Sequence, residues 1–112
     1  ALELYNQAVE ICPNKMVFRL NRAAVYLEES NYDKCIKECE EAIEVGRKAN
    51  ESFENIGKAY IRIGNAYFKK GDLEKAISSY NDSLTEHRSK LALGLLNKAE
   101  RILKKKKEEE YI

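Results

Sequence analysis

The chain contains no tryptophan, a single proline at position 13 and a single histidine at position 87. His87 has no nucleophile or carboxylate at a defined spacing. No residues are therefore assigned to catalysis, and His87 is expected at a surface or a helix end. No apolar run approaches the roughly 20 residues of a membrane-spanning helix, no secretory signal is visible, and no segment reads as a strand. An excess of either charge is also lacking: 20 Lys and Arg against 19 Asp and Glu leave a net charge of +1. This balance argues against bulk electrostatic attraction to nucleic acid or a membrane surface, so any anion binding has to come from local placement of charge. Cysteine is scarce as well. Cys12, Cys35 and Cys39 form an odd set without a framework spacing, which fits a reducing compartment, expected to be the cytosol, better than a disulfide scaffold.

What is there reads as helix. With 44% hydrophobic and 35% charged residues in 112, one domain with a continuous core is expected. Leu2, Tyr5, Ala8, Val9 and Cys12 recur at a helical period that stops at Pro13. Residues 16–29 make a second helix, with Leu20, Ala23, Ala24, Tyr26 and Leu27 spread over much of its circumference, as for a helix touched on more than one side. Residues 30–33 break it. Asn31 is the expected N-cap of a third helix over 32–45, whose inward positions are Cys35, Ile36, Cys39, Ala42 and Ile43. Gly46 either loosens that helix or is tolerated within it at about 1 kcal/mol relative to Ala. Residues 47–54 are polar and lack Pro, so the helices on either side are expected to extend into them. Gly71 supplies a turn and Asp72 a cap for a helix over 73–86, which buries Ala76, Ile77, Tyr80 and Leu84. After a turn at 88–90, a last helix carries Leu91, Leu95, Leu96, Ala99, Ile102 and Leu103. It ends in the Lys run 104–107 and the Glu run 108–110, an exposed helix end or linker rather than a nucleic-acid contact.

Residues 55–68 separate into two helical faces. Ile56, Tyr60, Ile63 and Tyr67 recur at steps of four, three and four, and want a core. Asn55, Lys58, Arg62 and Asn65 recur at three, four and three. Two cations and two amides in one row, with no acid among them, form a donor stripe suited to a carboxylate.

The helices also repeat. Ala1, Tyr5 and Ala8 keep a small, large, small spacing that returns at Cys35, Cys39 and Ala42 and again at Ala76, Tyr80 and Ser83. Tyr5 to Cys39 is 34 residues, and Cys39 to Tyr80 is one such period plus a seven-residue insertion. Ala23 and Tyr26 correspond to Gly64 and Tyr67, a small residue three before an aromatic, which lets two helices approach closely. This pattern resembles the tetratricopeptide repeat. The resemblance implies an all-α superhelix of helix-turn-helix units, an α-solenoid with a C-terminal capping helix. In these terms residues 1–15 hold the second helix of a first repeat, 16–49 a second repeat, 50–56 the insertion, 57–90 a third repeat and 91–112 the cap. The first helix of the first repeat is absent from this sequence. Leu2, Tyr5 and Val9 are therefore expected to be covered by upstream residues or by another chain, with a swapped oligomer as one arrangement.

The first helices of such repeats line a concave groove. There Asn21, Ala24 and Glu28, at steps of three and four, stand beside the donor stripe, and Asn21, Lys58 and Arg62 converge across adjacent helices. Arg can bind a carboxylate as a planar fork, Lys as a point charge and Asn as an amide donor. Residues 20–26, 39–47 and 58–68 resemble the Hsp-organising co-chaperones, most closely their middle repeat domain. That resemblance implies an adaptor, not an enzyme, that binds the Glu-Glu-Val-Asp tail of heat shock protein 90 through a two-carboxylate clamp. Asn21, Lys58 and Arg62 would hold the terminal Asp, Ala24 would border the Val, and Glu28 and Asn55 would contact residues further upstream, with Asn65 in the same stripe. Heat shock protein 70, whose tail shares Glu-Val-Asp, is the alternative partner, and a scaffold acting through its convex face the alternative class. No cofactor or metal is expected: Cys35 and Cys39 occupy core positions with no further ligand grouped near them. Glu28, Glu38, Glu40 and Glu41 are expected on solvated helix faces.

Overall fold

Pro13, Gly71 and three capping side chains cut the chain into helices in the computed structural model, which describes residues 2–111. The order is α1 (Leu2–Ile11), α2 (Met16–Glu28), α3 (Tyr32–Lys48), α4 (Phe53–Lys70), α5 (Leu73–Glu86) and α6 (Lys90–Glu110). Ser52, Asp72 and Ser89 each accept a hydrogen bond from the backbone N–H three residues on, and so start α4, α5 and α6. Asn31 occupies the N-cap position of α3 but its side chain makes no capping bond. The three turns leading out of α2, α3 and α4 share one device, a left-handed residue: Ser30 at φ 61°, Asn50 at φ 56° and Gly71 at φ 95°. After each, the next N–H reaches back to a carbonyl of the finished helix: Asn31 to Tyr26, Glu51 to Gly46 and Asp72 to Tyr67. Helices α3 and α4 run into the polar 47–54 segment from both sides, leaving only 49–52 between them. Ala1, which begins the first small-large-small set, and Ile112 lie outside the described residues.

Each helix packs on the next, and α2 also touches α4, so three elements share one core. Met16, Leu20 and Ala23 of α2, Cys35, Cys39, Ala42 and Ile43 of α3, and Ile56, Ala59, Ile63 and Ala66 of α4 are buried together. A smaller cluster joins Ala76 and Tyr80 of α5 to Leu96 and Ala99 of α6, with Tyr67 packed against both. Small residues set these approaches. A Cβ added at Gly46 would stand 2.5 Å from the Met16 sulfur, and one at Gly64 would stand 2.5 Å from Tyr80 Cε1. Gly46 therefore sits inside α3 because α2 needs that space. At Gly64 the aromatic that fills the gap comes from α5, not from Tyr67 on the same helix.

One expectation is corrected. Glu38 is not on a solvated face: its side chain is 5% exposed and holds Arg19 at 3.0 Å and Arg22 in a closer pair. Arg19 also reaches Glu41 at 3.1 Å, and Arg22 Nη1 donates to Asn6 Oδ1 at 3.2 Å, so this carboxylate ties α1, α2 and α3 together. The hydrogen bond to Glu38 raises the Arg22 pKa above its ordinary value. On α1, Val9 is already buried; the apolar side chains left most open there are Leu4 and Ile11, neither of them in the expected face.

Candidate functional site

The donor stripe of α4 faces α2. Ser52 fixes the start of α4 by accepting from the Asn55 N–H at 3.2 Å, and from there the three-four-three spacing sets Asn55, Lys58, Arg62 and Asn65 along one side of the helix. All four line a cavity of about 490 Å3 together with Asn21 of α2. Five of the seven expected positions are thus brought together. Ala24 and Glu28 continue along α2 from Asn21 but lie outside this cavity. Early residues of α2 share it with the earlier part of α4, whereas Leu27 meets Asn65, Phe68 and Lys69 at a second opening, so the two helices run parallel. Glu28 and Asn55 therefore lie toward opposite ends of the groove.

Each donor is held by a specific partner. Arg62 Nη1 donates to the Leu20 carbonyl oxygen at 2.7 Å, which draws the guanidinium across to α2 beside Asn21 and leaves its other N–H groups for a ligand. Tyr80, buried beneath α4, donates its hydroxyl to Asn65 Oδ1 at 2.7 Å. With its oxygen committed, Asn65 keeps its amide N–H groups as the free part. Burial pushes the Tyr80 pKa up to about 12, so this donor keeps its proton across the physiological range.

The N-terminal half of the stripe departs from the expectation of a row without acids. Lys58 Nζ lies 3.8 Å from Glu54 Oε1, with both side chains about 60% exposed, and Asn55 Nδ2 donates to Glu51 Oε1 at 3.1 Å. Glu54 precedes the stripe by one residue and stands four before Lys58, a spacing that pairs on a helix. Lys58 is a cation with a weak internal partner. Asn55 has one of its two amide N–H groups committed to the Glu51 carboxylate.

The rest of the lining is Glu51, whose carboxylate accepts from Asn55, and the apolar side chains of Met16, Val17, Leu20, Ile61 and Leu91. Val17 precedes Asn21 by one helical turn, so the period of α2 already placed it on this face. Leu91 carried no such signal. It was expected inside the last helix, yet it is 62% exposed and closes the groove from α6. A few donors on an apolar wall can orient a carboxylate while shielding it from water. Cys35 and Cys39 are fully buried on α3 behind the groove; the hydrogen bond to Cys35, with burial, raises the Cys39 thiol well above its ordinary pKa and keeps it protonated. No group of three or more His, Cys, Asp or Glu among the described residues could hold a metal, and none of their helices is long and apolar enough to cross a membrane.

Parallel α2 and α4, with α6 closing the concave side, define the class of helical-repeat modules that present a groove to an extended chain. The chain belongs to the tetratricopeptide repeat family, whose profile matches residues 16–89. It is 42% identical over 112 residues to Heat shock protein STI1 of Saccharomyces cerevisiae, covering 100% of this chain and 19% of that protein. It is 39% identical over 115 residues to Hsp70-Hsp90 organizing protein 3 of Arabidopsis thaliana, covering 99% of this chain and 21% of that protein. The chain thus spans about a fifth of the length of these curated relatives. Among solved structures, the TPR2AB-domain:pHSP90-complex of yeast Sti1 matches with a TM-score of 0.94 at 41% identity, over 99% of this chain and 43% of that one. These findings support the resemblance carried by residues 20–26, 39–47 and 58–68.

Proposed function

We propose that this module is a co-chaperone adaptor that captures the acidic C-terminus of a heat-shock chaperone, with the Glu-Glu-Val-Asp tail of heat shock protein 90 as its ligand. The observation that carries this reading is the convergence of Asn21, Lys58, Arg62 and Asn65 on one cavity. A terminal Asp brings two carboxylates. Arg62, oriented by the Leu20 carbonyl, forks onto one of them, Lys58 exchanges Glu54 for the other, and the amides of Asn21 and Asn65 donate to the remaining lone pairs. Val17, Leu20 and Leu91 offer the apolar surface that a neighbouring Val side chain needs. The Hsp90 peptide held by the yeast Sti1 domains supports this assignment, and the plant relative, an Hsp70-Hsp90 organizing protein, supports a chaperone partner of either kind.

Calorimetric titration with Met-Glu-Glu-Val-Asp and with its C-terminal amide tests the reading. The free acid is expected to bind at least tenfold more tightly, because charge-assisted hydrogen bonds contribute about 1.5–3 kcal/mol each. Equal affinity for the two peptides would sink it. A tail that shares only Glu-Val-Asp, as in heat shock protein 70, serves as the specificity arm: tighter binding of that tail would move the assignment to the second chaperone while leaving the clamp in place.

A further inference from the structure

The carboxylate groove continues past Asn65 into the second opening, of about 290 Å3. Leu27 of α2, Phe68 and Lys69 of α4, and Leu95 and Lys98 of α6 line it, and Asn65 lines both cavities. Tyr80, whose hydroxyl holds Asn65, lines this opening too, so the residue at the junction is fixed from below. Leu91 borders the first cavity and Leu95, one turn on, the second; α6 therefore runs alongside the whole groove.

The two ends of this groove differ in charge. Glu51 lines the first cavity and Glu54 reaches Lys58 there, whereas no acid lines the second opening. Lys69 and Lys98 make no salt bridge among the described residues, and Lys98 Nζ stands 5.4 Å from the centroid of the Phe68 ring, which draws it over α4. The neighbouring acids are engaged elsewhere or stand outside. Asp33 pairs with Lys70 and Asp72 with Lys75, Glu100 stands on another side of α6 beside Ile77, and Glu28 and Glu29, at the end of α2, are exposed and outside the lining. We propose that Lys69 and Lys98 receive the acidic side chains that precede the last residue of the captured C-terminal tail. The proposal rests on the reading of Asn21, Lys58 and Arg62 as the clamp for that last residue. A helix rises 1.5 Å per residue, so Lys69 lies about 10 Å beyond Arg62, a distance that an extended chain covers in about three residues at roughly 3.3 Å each. The two Glu residues of Glu-Glu-Val-Asp stand two and three places before the terminal Asp, within reach of both lysines. A tail running the other way would bring them to Glu51 and Glu54. Leu27, Phe68 and Leu95 cover the aliphatic stems, and α6 becomes part of the recognition surface that selects tails by the acids they carry.

Calorimetry with Met-Glu-Glu-Val-Asp and Met-Gln-Gln-Val-Asp, both as free acids, reads this contact apart from the clamp. The Gln peptide is expected to bind wild type about fivefold more weakly, and that difference should shrink below about twofold in the double variant Lys69→Gln, Lys98→Met, which alters two exposed side chains. The preference for the free acid of Met-Glu-Glu-Val-Asp over its C-terminal amide should survive in the same variant, because Asn21, Lys58 and Arg62 are untouched. A free-acid preference combined with equal binding of the Glu and Gln peptides to wild type, or with a Glu-to-Gln difference as large in the variant as in wild type, would overturn the lysine site and leave the clamp standing. A Gln peptide that binds more tightly than the Glu peptide, with the advantage lost in Glu51→Gln, would run the tail toward the other end and overturn it as well. Equal affinity of wild type for the free acid and the amide would overturn both the clamp and the lysine site.

Discussion

Replacing Arg62 by Ala separates recognition from folding. In the folded chain one guanidinium nitrogen donates to the Leu20 carbonyl at 2.7 Å, and the remaining N–H groups face the cavity. The Leu20 carbonyl lies within α2, where the helical ladder supplies an acceptor's usual partner four residues on. Removing Arg62 therefore leaves no orphaned buried group on α2, and the expected stability cost is that of an ordinary hydrogen bond, about 0.5–1.5 kcal/mol. The ligand loses more. Charge-assisted bonds from Arg62 to a terminal carboxylate contribute about 1.5–3 kcal/mol, a roughly ten- to hundredfold loss of affinity. Arg62→Lys keeps the charge but not the fork or the bridge to α2, and should recover only part of that loss. Calorimetry with Met-Glu-Glu-Val-Asp and urea denaturation of the same samples read the two quantities separately. Wild-type affinity should also fall more steeply with added salt than that of Arg62→Ala, which has one cation fewer to screen. An affinity for Arg62→Ala within twofold of wild type, with the fold intact, would refute the assignment of Arg62 to the ligand.

Glu54→Gln should tighten binding about twofold, because it frees Lys58 from an exposed pair of about 0.3–0.5 kcal/mol; unchanged or weaker binding in calorimetry would show that Lys58 is not the competing group. Tyr80→Phe removes the donor that fixes Asn65, so affinity should drop by about two- to tenfold. Its folded pKa is raised to about 12 from an ordinary value near 10, so the stability linked to Tyr80 is intact below pH 10 and is lost as pH rises toward 12. Thermal denaturation of Tyr80→Phe should show a shallower fall across that window than wild type does. Gly→Ala should act with opposite signs at two positions. At Gly94, which has open space around it, the gain is about 0.8–1 kcal/mol of helix propensity; at Gly64 the new Cβ meets Tyr80 at 2.5 Å, and overpacking of about 1–3 kcal/mol opposes that gain. Glu38→Ala should cost about 3 kcal/mol or more in urea denaturation by stranding Arg19 and Arg22, with Glu38→Gln milder because it keeps an acceptor.

Period and punctuation made most of the fold legible. Pro13, Gly71 and Asp72 are local signals, and the apolar spacing of each helix follows from the faces it buries, so the number and order of helices could be read before any contact was known. The donor stripe was legible for the same reason. Its partners were less so. Glu54 lies one residue outside the stretch that holds the stripe, and its pairing with Lys58 depends on helical phase rather than sequence adjacency. Leu91 sits at an apolar position of α6 that resembles core, and only the approach of α6 to the groove turns it outward. Glu38 misled for a related reason: an acid among acids reads as solvated until two arginines from the neighbouring helix are placed over it. Local chemistry is written in residue type and spacing, whereas the approach of two helices is written in pairs of positions far apart in the chain.

Helix α4 shows why such pairs decide the site. Its glycines admit Tyr80 and Ser83 from α5 on one edge, its alanines and isoleucines receive α3 and α2 on the next, and its polar stripe is what those contacts leave uncovered. The same contacts then act on the stripe itself. Tyr80, drawn in by Gly64, is the residue whose hydroxyl orients Asn65, and the packing of α2 on α4 is what brings the Leu20 carbonyl within reach of Arg62. A larger residue at Gly64 would therefore disturb a groove-facing amide from the far side of the helix. Packing and recognition are linked here through two hydrogen bonds, so a core substitution that shifts α5 or α2 by a fraction of an ångström should change affinity before it changes the fold.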